Sequence, residues 1–258
     1  MILLSFDIEE FDVPAEHGVQ ISLQEQIEVS RQGTCRILEI LATNDIKATF
    51  FCTATFAIHA PQIIQKIKDG GHEIASHGYY HSAFKVSDLE DSRKKLEEIS
   101  GCKISGYRMA RMMPVDECEI LNAGYKYNSS INPTFIPGRY NNLRVSRTWF
   151  MQDGVMQIPA SVSPLLRFPL FWLSFHNLPQ WLYRFFAARA LKKDGYLNIY
   201  FHPWEFADIK KKEYNLPYII VHNSGADMVR RADVFIKYWR GKGESFGTLG
   251  EFVKHKIK

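Results

Sequence analysis

The sequence predicts an α/β fold built on a parallel sheet, most simply a (β/α) barrel, and two observations predict it. Strand-like and helix-like stretches alternate from end to end, and four reactive side chains, Asp7, His77, Arg108 and His202, fall at the C-terminal ends of predicted strands. At 258 residues the chain has the size at which α/β barrels form one unit. With neither an internal repeat nor a low-complexity linker, a single domain over 1–258 is expected.

The elements follow in order. Ile2 to Phe6 reads as a strand, and Leu23 to Thr43 has apolar residues at helical spacing through Ile27, Ile37, Leu38 and Leu41. Ala48 to Thr53 is a compact aromatic strand; Pro61 then opens a helix that Gly70-Gly71 closes. Glu73 to Ser76 is a short strand that delivers His77. Leu89 to Ile99 is a charged helix facing solvent, Ile104 to Met109 the strand carrying Arg108, Pro114 to Ala123 a helix, and Tyr125 to Ile131 a strand. Residues 132–146 read as an irregular insertion over the site, followed by a hairpin around Asp153-Gly154. An aromatic-rich helical segment near 165–193 precedes the strand Tyr196 to Phe201, which delivers His202. Helices over Asp227 to Arg240 and Thr248 to Lys256 flank a brief strand near Ser245-Phe246.

Composition narrows the function classes. An apolar fraction of 46% with 23% charged residues is that of a soluble globular protein, and a net charge of +4 is too small to argue for nucleic acid. Cys35, Cys52, Cys102 and Cys118 are far apart, which predicts free thiols rather than disulfides or a thiolate zinc site. Met1 runs directly into a strand with no basic and long apolar stretch before it, so a cytoplasmic start without a secretion signal is expected. Leu165 to Phe186 is dense in Leu, Phe and Trp, but Pro164, Pro169, Pro179 and the intervening Arg and His residues argue against a spanning helix. Core helices are the expectation there. An interfacial patch that contacts a bilayer or holds a lipid-linked substrate is the alternative, with the chain then peripherally associated with the membrane.

The chemistry rests on spacing. In Leu3 to Glu9 the strand period of two turns Asp7 and Glu9 to one side and Ile8 to the other. His77 and His81 are four residues apart, which predicts two imidazoles meeting across one helical turn as a metal clamp. Two neutral imidazoles and the Glu9 carboxylate would leave a divalent metal open positions for water and a substrate carbonyl. Asp7 is then the candidate base, Arg108 the group that holds it ionised and aimed, and His202 the candidate general acid. Each residue alone has a plainer explanation, a turn or cap for the acids and packing for His202. The set, in this order at strand ends, points to a hydrolytic site.

These stretches resemble the five motifs of the polysaccharide deacetylases of carbohydrate esterase family 4. Ser5-Phe6-Asp7-Ile8-Glu9 is similar to the first and His77-Gly78-Tyr79-Tyr80-His81 to the second. Gly106-Tyr107-Arg108 resembles the third, Gly124 to Ser130 the fourth and Tyr200-Phe201-His202-Pro203 the fifth. The resemblance covers roughly the first 205 residues and implies a distorted (β/α) barrel with seven or eight parallel strands. It also implies a divalent metal, zinc first with cobalt, nickel or iron as alternatives, and Glu9, His77 and His81 as its ligands. The implied reaction is hydrolysis of an acetamido group on a sugar, with an N-acetylated carbohydrate as partner.

Two departures matter. Ile8 follows Asp7 where the family commonly has a second aspartate, which moves the ligand to Glu9. Asn128 stands where an aspartate commonly polarises the acid histidine, which predicts a weaker acid at His202 unless Glu205 or another carboxylate substitutes. The expected substrates are a glycan, a lipid-linked oligosaccharide or a sugar-nucleotide precursor, with Tyr79, Tyr80, Trp149 and Trp204 as candidates to stack on a sugar ring. The competing expectations are allantoinase-like C–N hydrolysis on a small non-sugar amide, and carbohydrate binding on a disabled scaffold.

Overall fold

The computed structural model describes residues 1–257. β1 (Ile2–Ile8) leads through the short α1 (Val13–Glu16) and the long α2 (Leu23–Thr43) to β2 (Thr49–Cys52). There follow α3 (Ala54–His59), α4 (Pro61–Asp69), β3 (Glu73–Ser76), α5 (Ser87–Ser100), β4 (Gly106–Tyr107), α6 (Glu117–Asn122) and β5 (Tyr127–Asn128). A small hairpin of β6 (Phe135–Ile136) and β7 (Tyr140–Asn141) stands apart, before β8 (Phe150–Gln152) and β9 (Val155–Gln157). The chain ends with α7 (Trp172–Asn177), α8 (Gln180–Asp194), β10 (Leu197–Phe201), α9 (Tyr218–Val221), α10 (Ala226–Gly241), β11 (Phe246–Gly247) and α11 (Leu249–Ile257).

The main sheet runs β10-β1-β2-β3-β4-β5-β9-β8, with β11 against β1, and every neighbouring pair is parallel except β8 and β9. The sheet curls until the segment after β9 reaches β10. There Ser161 N–H donates to the Asn198 carbonyl at 2.8 Å, and Asn198 Nδ2 donates to the carbonyls of Ile158 and Pro159. The result is the distorted (β/α) barrel that the sequence predicts, with seven parallel strands from β10 round to β9 and a seam of single hydrogen bonds where a ladder would close it.

The strand period decides which face carries chemistry. Along β1, Leu4 and Phe6 pack outward against Ile37, Ile40 and Leu41 of α2, while Leu3 turns inward to Phe51, Ala75 and Tyr127. Asp7 shares the inward face with Leu3. The α2 helix is capped by Ser22, whose side chain accepts from Glu25 N–H, and it lies unusually close to the chain after β10. A Cβ on Gly33 would sit 1.8 Å from the Pro203 carbonyl oxygen, so only glycine fits there.

Several boundaries differ from expectation. β4 and β5 are two residues long because Met109 N–H donates to the Ser130 hydroxyl rather than to a strand carbonyl. Residues 77–81 form no helical turn: Gly78 has φ +89°, and the carbonyls of Gly78 and Tyr79 accept from Ala54 and Thr55 at the start of α3. The hairpin at Asp153-Gly154 matches expectation, with φ of 48° and 82° suited to a two-residue turn. The insertion at 132–146 contains the β6/β7 hairpin. Helix α6 begins at Glu117, three residues past the expected start, with Asp116 as its cap.

Candidate metal centre and active site

Strand ends deliver the functional side chains to one solvent-open cavity of about 300 Å³, whose wall includes Asp7, Glu9, His77, His81 and His202. Glu9, His77 and His81 offer donor atoms that lie within 4.8 Å of one another. His77 Nε2 is 3.2 Å and His81 Nε2 2.9 Å from the same Glu9 oxygen, Oε2. The outer nitrogens are already committed. His77 Nδ1 is 2.9 Å from the Arg108 carbonyl, which makes it a donor, and His81 Nδ1 is 2.9 Å from Asp12 Oδ1.

This arrangement fits a metal ion. With both Nδ1 atoms donating, two Nε2 lone pairs converge on Glu9 Oε2, which is buried without another hydrogen-bond partner. Such a convergence of two imidazoles and a carboxylate suits a divalent cation. Burial alone would weaken the His81 imidazolium, but Glu9 and Asp12 raise its pKa to about 10. Burial likewise opposes the Glu9 anion, yet His81, His202 and His77 together hold its carboxyl well below the usual range. Trp204 Nε1 donates to Glu9 Oε1 at 3.2 Å and fixes the second oxygen.

Asp7 is the next group inward. Arg108 Nη1 donates to Asp7 Oδ1 at 2.5 Å, and the guanidinium is fully buried. Its remaining donors are satisfied by the Ser129 carbonyl and hydroxyl, and its plane lies over the Phe51 ring at 4.1 Å. A buried arginine with every contact filled holds one orientation, so the carboxylate it pairs with is aimed as well.

His202 follows β10, and its support comes from Glu205. His202 Nδ1 is 3.0 Å from Glu205 Oε1, and the backbone N–H of His202 donates to the same oxygen at 2.5 Å. Glu205 is fully buried, and its other oxygen lies 2.8 Å from Nε2 of a second buried histidine, His176. His176 Nδ1 donates to the His222 carbonyl at 2.9 Å, which sets the ring so that Nε2 faces Glu205, and His202, Glu205 and His176 form one buried line of side chains. Burial disfavours the His202 cation, but Glu9 and Glu205 more than compensate and raise its pKa. Burial also opposes the Glu205 anion, and the two histidines lower its pKa against that.

Two expectations are corrected. Asn128 does not support His202: its amide donates to Gln157 Oε1 and its carbonyl accepts from Ser130. The carboxylate is Glu205, the substitute that the sequence offers, within the same turn as the histidine. Of the four proposed stacking aromatics, only Trp204 lines the cavity. Tyr79 and Tyr80 face a separate surface depression beside α5, and Trp149 packs with Tyr196 and Phe252. Tyr140, Phe171, Trp172 and Tyr200 are the other aromatic residues of the wall. Asp12 and His176 were missed. The acidic run Glu9-Glu10-Phe11-Asp12 carried a signal for the first, whereas His176 is hidden in the aromatic segment.

The family model for polysaccharide deacetylase matches residues 2–113. A peptidoglycan-N-acetylmuramic acid deacetylase of Bacillus subtilis is 27% identical over 67 residues, 26% of this chain and 26% of that protein. A chitooligosaccharide deacetylase of Sinorhizobium fredii is 31% identical over 65 residues, 25% of this chain and 30% of that one. The matched stretches thus span between a quarter and a third of those relatives' length. Among solved structures, a protein assigned as a polysaccharide deacetylase from Mycobacterium smegmatis superposes with a TM-score of 0.68 at 17% identity, covering 98% of this chain and 88% of that one. An allantoinase gives 0.63 at 16% identity over 93% and 84%. A carbohydrate esterase family 4 pseudoenzyme from Bacillus anthracis gives 0.55 at 13% over 97% and 64%. The chain thus matches the polysaccharide deacetylase model over residues 2–113 and shares the fold of these solved structures over nearly its whole length.

Proposed function

We propose that the chain is a metal-dependent hydrolase that removes an N-acetyl group from an amino sugar, giving a free amine and acetate. The observation that carries this is the convergence of His77 Nε2 and His81 Nε2 on Glu9 Oε2, in one cavity with the Arg108-held Asp7 and the Glu205-held His202. A divalent ion bound by Glu9, His77 and His81, zinc being the first choice, would polarise the amide carbonyl and activate water. Asp7 takes the proton from the attacking water as the new C–O bond forms. Arg108 keeps Asp7 aimed. His202 Nε2, free because Nδ1 is bound to Glu205, gives its proton to the leaving nitrogen as the C–N bond breaks. Glu205 fixes the tautomer and supports the cation before that transfer, the part a carboxylate plays beside a catalytic histidine in acyl transfer.

Supporting the sugar assignment are the relatives named for deacetylation of sugar polymers and the aromatic wall, where Trp172 and Tyr200 offer apolar faces beside the polar centre. The intact set of base, acid and ligand residues weighs against a binding module on a disabled scaffold. Metal content after purification without chelator, compared between the wild type and His77→Ala/His81→Ala, tests the ligands; equal metal in both would remove them. Acetate release from N-acetylhexosamine oligomers and UDP-linked N-acetyl sugars, with Asp7→Asn as control, tests the reaction. Turnover of allantoin-like cyclic amides in preference to both would replace the sugar assignment.

A further inference from the structure

The aromatic segment is only half core. Phe175, Tyr183 and Ala187 are buried as expected, yet Leu165 is 86% exposed, Leu166 78%, Trp181 67% and Phe185 47%. Soluble chains rarely hold several large apolar side chains this exposed in one place. They are in one place: Phe168, two residues from Leu166, stacks on Phe186 of α8 with centroids 5.2 Å apart, and Phe185 lies against Phe186 at 5.5 Å. Along α8 the exposed positions Trp181, Phe185, Arg189 and Lys192 fall at helical spacing, opposite the buried stripe of Tyr183, Ala187, Ala190 and Leu191.

The leucine tip is built rather than loose. Ser163 N–H donates to the Phe168 carbonyl at 2.8 Å, Arg167 N–H returns to the Ser163 carbonyl, and Val162 pairs with Pro169 as an antiparallel bridge. Arg167 adopts a left-handed φ of 52°, and its guanidinium bonds the carbonyls of Pro133 and Val145 at 3.2 and 2.7 Å. This anchoring holds Leu165 and Leu166 outward at the point of a tight turn.

Charge identifies what the face meets. Residues 139–193 contain eight Arg and Lys against one acidic residue, Asp153; Arg139, Arg147, Arg167 and Arg184 are engaged elsewhere, and Arg189, Lys192 and Lys193 are the exposed cations of α8 itself. Asp194, just beyond, is taken up by Arg147 at 2.6 Å. Arg189 lies over the Phe185 ring at 5.0 Å, so cation and apolar surface are side by side. Exposed Leu, Trp and Phe bordered by cations suit the boundary between anionic headgroups and acyl chains. Among the described residues no helix is long and apolar enough to cross a membrane, so contact would be peripheral.

We propose that the tip at Leu165-Leu166 and the Trp181–Lys192 face of α8 dock the chain on an anionic lipid surface. The same run of chain reaches the cavity wall at Phe171 and Trp172, within six residues of Leu166. Resting on the proposed deacetylation, this makes a glycan carried on a lipid the substrate class, presented to the cavity from the surface on which the chain sits.

Co-sedimentation with vesicles tests the docking without depending on catalysis. The wild type and the inactive Asp7→Asn protein are expected to bind phosphatidylcholine vesicles containing about one third phosphatidylglycerol, and to bind pure phosphatidylcholine at least about tenfold less. Leu165→Ser/Leu166→Ser and, separately, Trp181→Gln should each lower partitioning several-fold with unchanged circular dichroism and melting, and with acetate release from soluble oligomers retained. Arg189→Glu/Lys192→Glu should remove the preference for anionic lipid. Wild-type protein that stays in the supernatant, or leucine-tip variants that sediment as the wild type does, would overturn the proposal. So would a wild-type dimer in analytical ultracentrifugation that the Leu165→Ser/Leu166→Ser change dissociates, since a second copy would then cover the face. Vesicle binding without acetate release from any sugar would overturn the deacetylase assignment and leave the docking intact.

Discussion

Replacing Glu205 with Gln keeps the shape of the line from His202 to His176 but removes its negative charge. The carboxylate oxygens lie 3.0 Å from His202 Nδ1 and 2.8 Å from His176 Nε2. Opposite unit charges centred about 4 Å apart, at an effective dielectric of about 20, attract by about 4 kcal/mol. The amide keeps a neutral hydrogen bond to His202 and removes the cost of a buried anion, so the net loss is about 1.5–3 kcal/mol. At about 1.4 kcal/mol per pKa unit, the His202 pKa should fall by one to two units. His202 acts as the proton donor, so activity is lost as pH rises through its folded pKa, which Glu205 helps raise above the ordinary histidine value. In Glu205→Gln that alkaline limb should move down by the same one to two units, with a smaller change in rate where the histidine is fully protonated. The assay is acetate release against pH for both proteins with metal present. An alkaline limb that stays in place, or a uniform loss at every pH, would refute the support given to His202 by Glu205.

Asp12→Asn leaves a hydrogen bond to His81 Nδ1 but removes the charge that strengthens the imidazole as a ligand, so metal affinity should fall about 10–100-fold in a competition titration with a chromophoric chelator. In chelated protein His81 is protonated at neutral pH because Glu9 and Asp12 raise its pKa to about 10. Adding metal at pH 7.5 should therefore release about one proton, read by calorimetry in two buffers of different ionisation enthalpy. The same shift gives the chelated protein a stabilising contribution that is complete below the unfolded pKa of about 6.5 and fades as pH climbs through about 10. Denaturation midpoints of the chelated protein that hold constant across that window would count against it. Gly33→Ala places a methyl group on the Pro203 carbonyl, and should cost about 1–3 kcal/mol in urea unfolding while lowering activity more than metal content.

Much of the site was legible because its parts are short-range. Asp7 and Glu9 share a strand face by the period of two, and His77 and His81 are close in the chain whatever conformation joins them. That is why the pair was found although the helical turn was not: the carbonyls of Gly78 and Tyr79 are engaged by the start of α3, a contact between segments more than twenty residues apart. The sequence offers Glu205 only as a substitute for the carboxylate absent at Asn128, because the motif position draws the eye first. Glu205, three residues from the histidine, is brought to it by the turn of chain at Pro203, and His176 arrives on a helix that composition alone describes as apolar. Strand ends were legible from hydrophobic runs. The lengths of β4 and β5 were not, since a side-chain hydroxyl, Ser130, replaces a backbone partner.

The α2 helix sets a gauge between the two ends of the chain. Ser30 donates its hydroxyl to the Glu9 carbonyl at 2.6 Å, and Gly33, one turn on, meets Pro203 beside His202. Arg36 bonds the Phe206 carbonyl at 2.7 Å, another turn along. The spacing of residue 9 from residue 202 is thus ruled by the β1–β10 ladder and by a rigid helix braced across it, and not by the 153 residues between α2 and β10. Loops and helices within that stretch, including the β6/β7 hairpin, the leucine tip and α8, are free to lengthen, shorten or change partner across descendants of this chain. Substrate range and site of action are able to drift while the separation of acid from ligand stays constant.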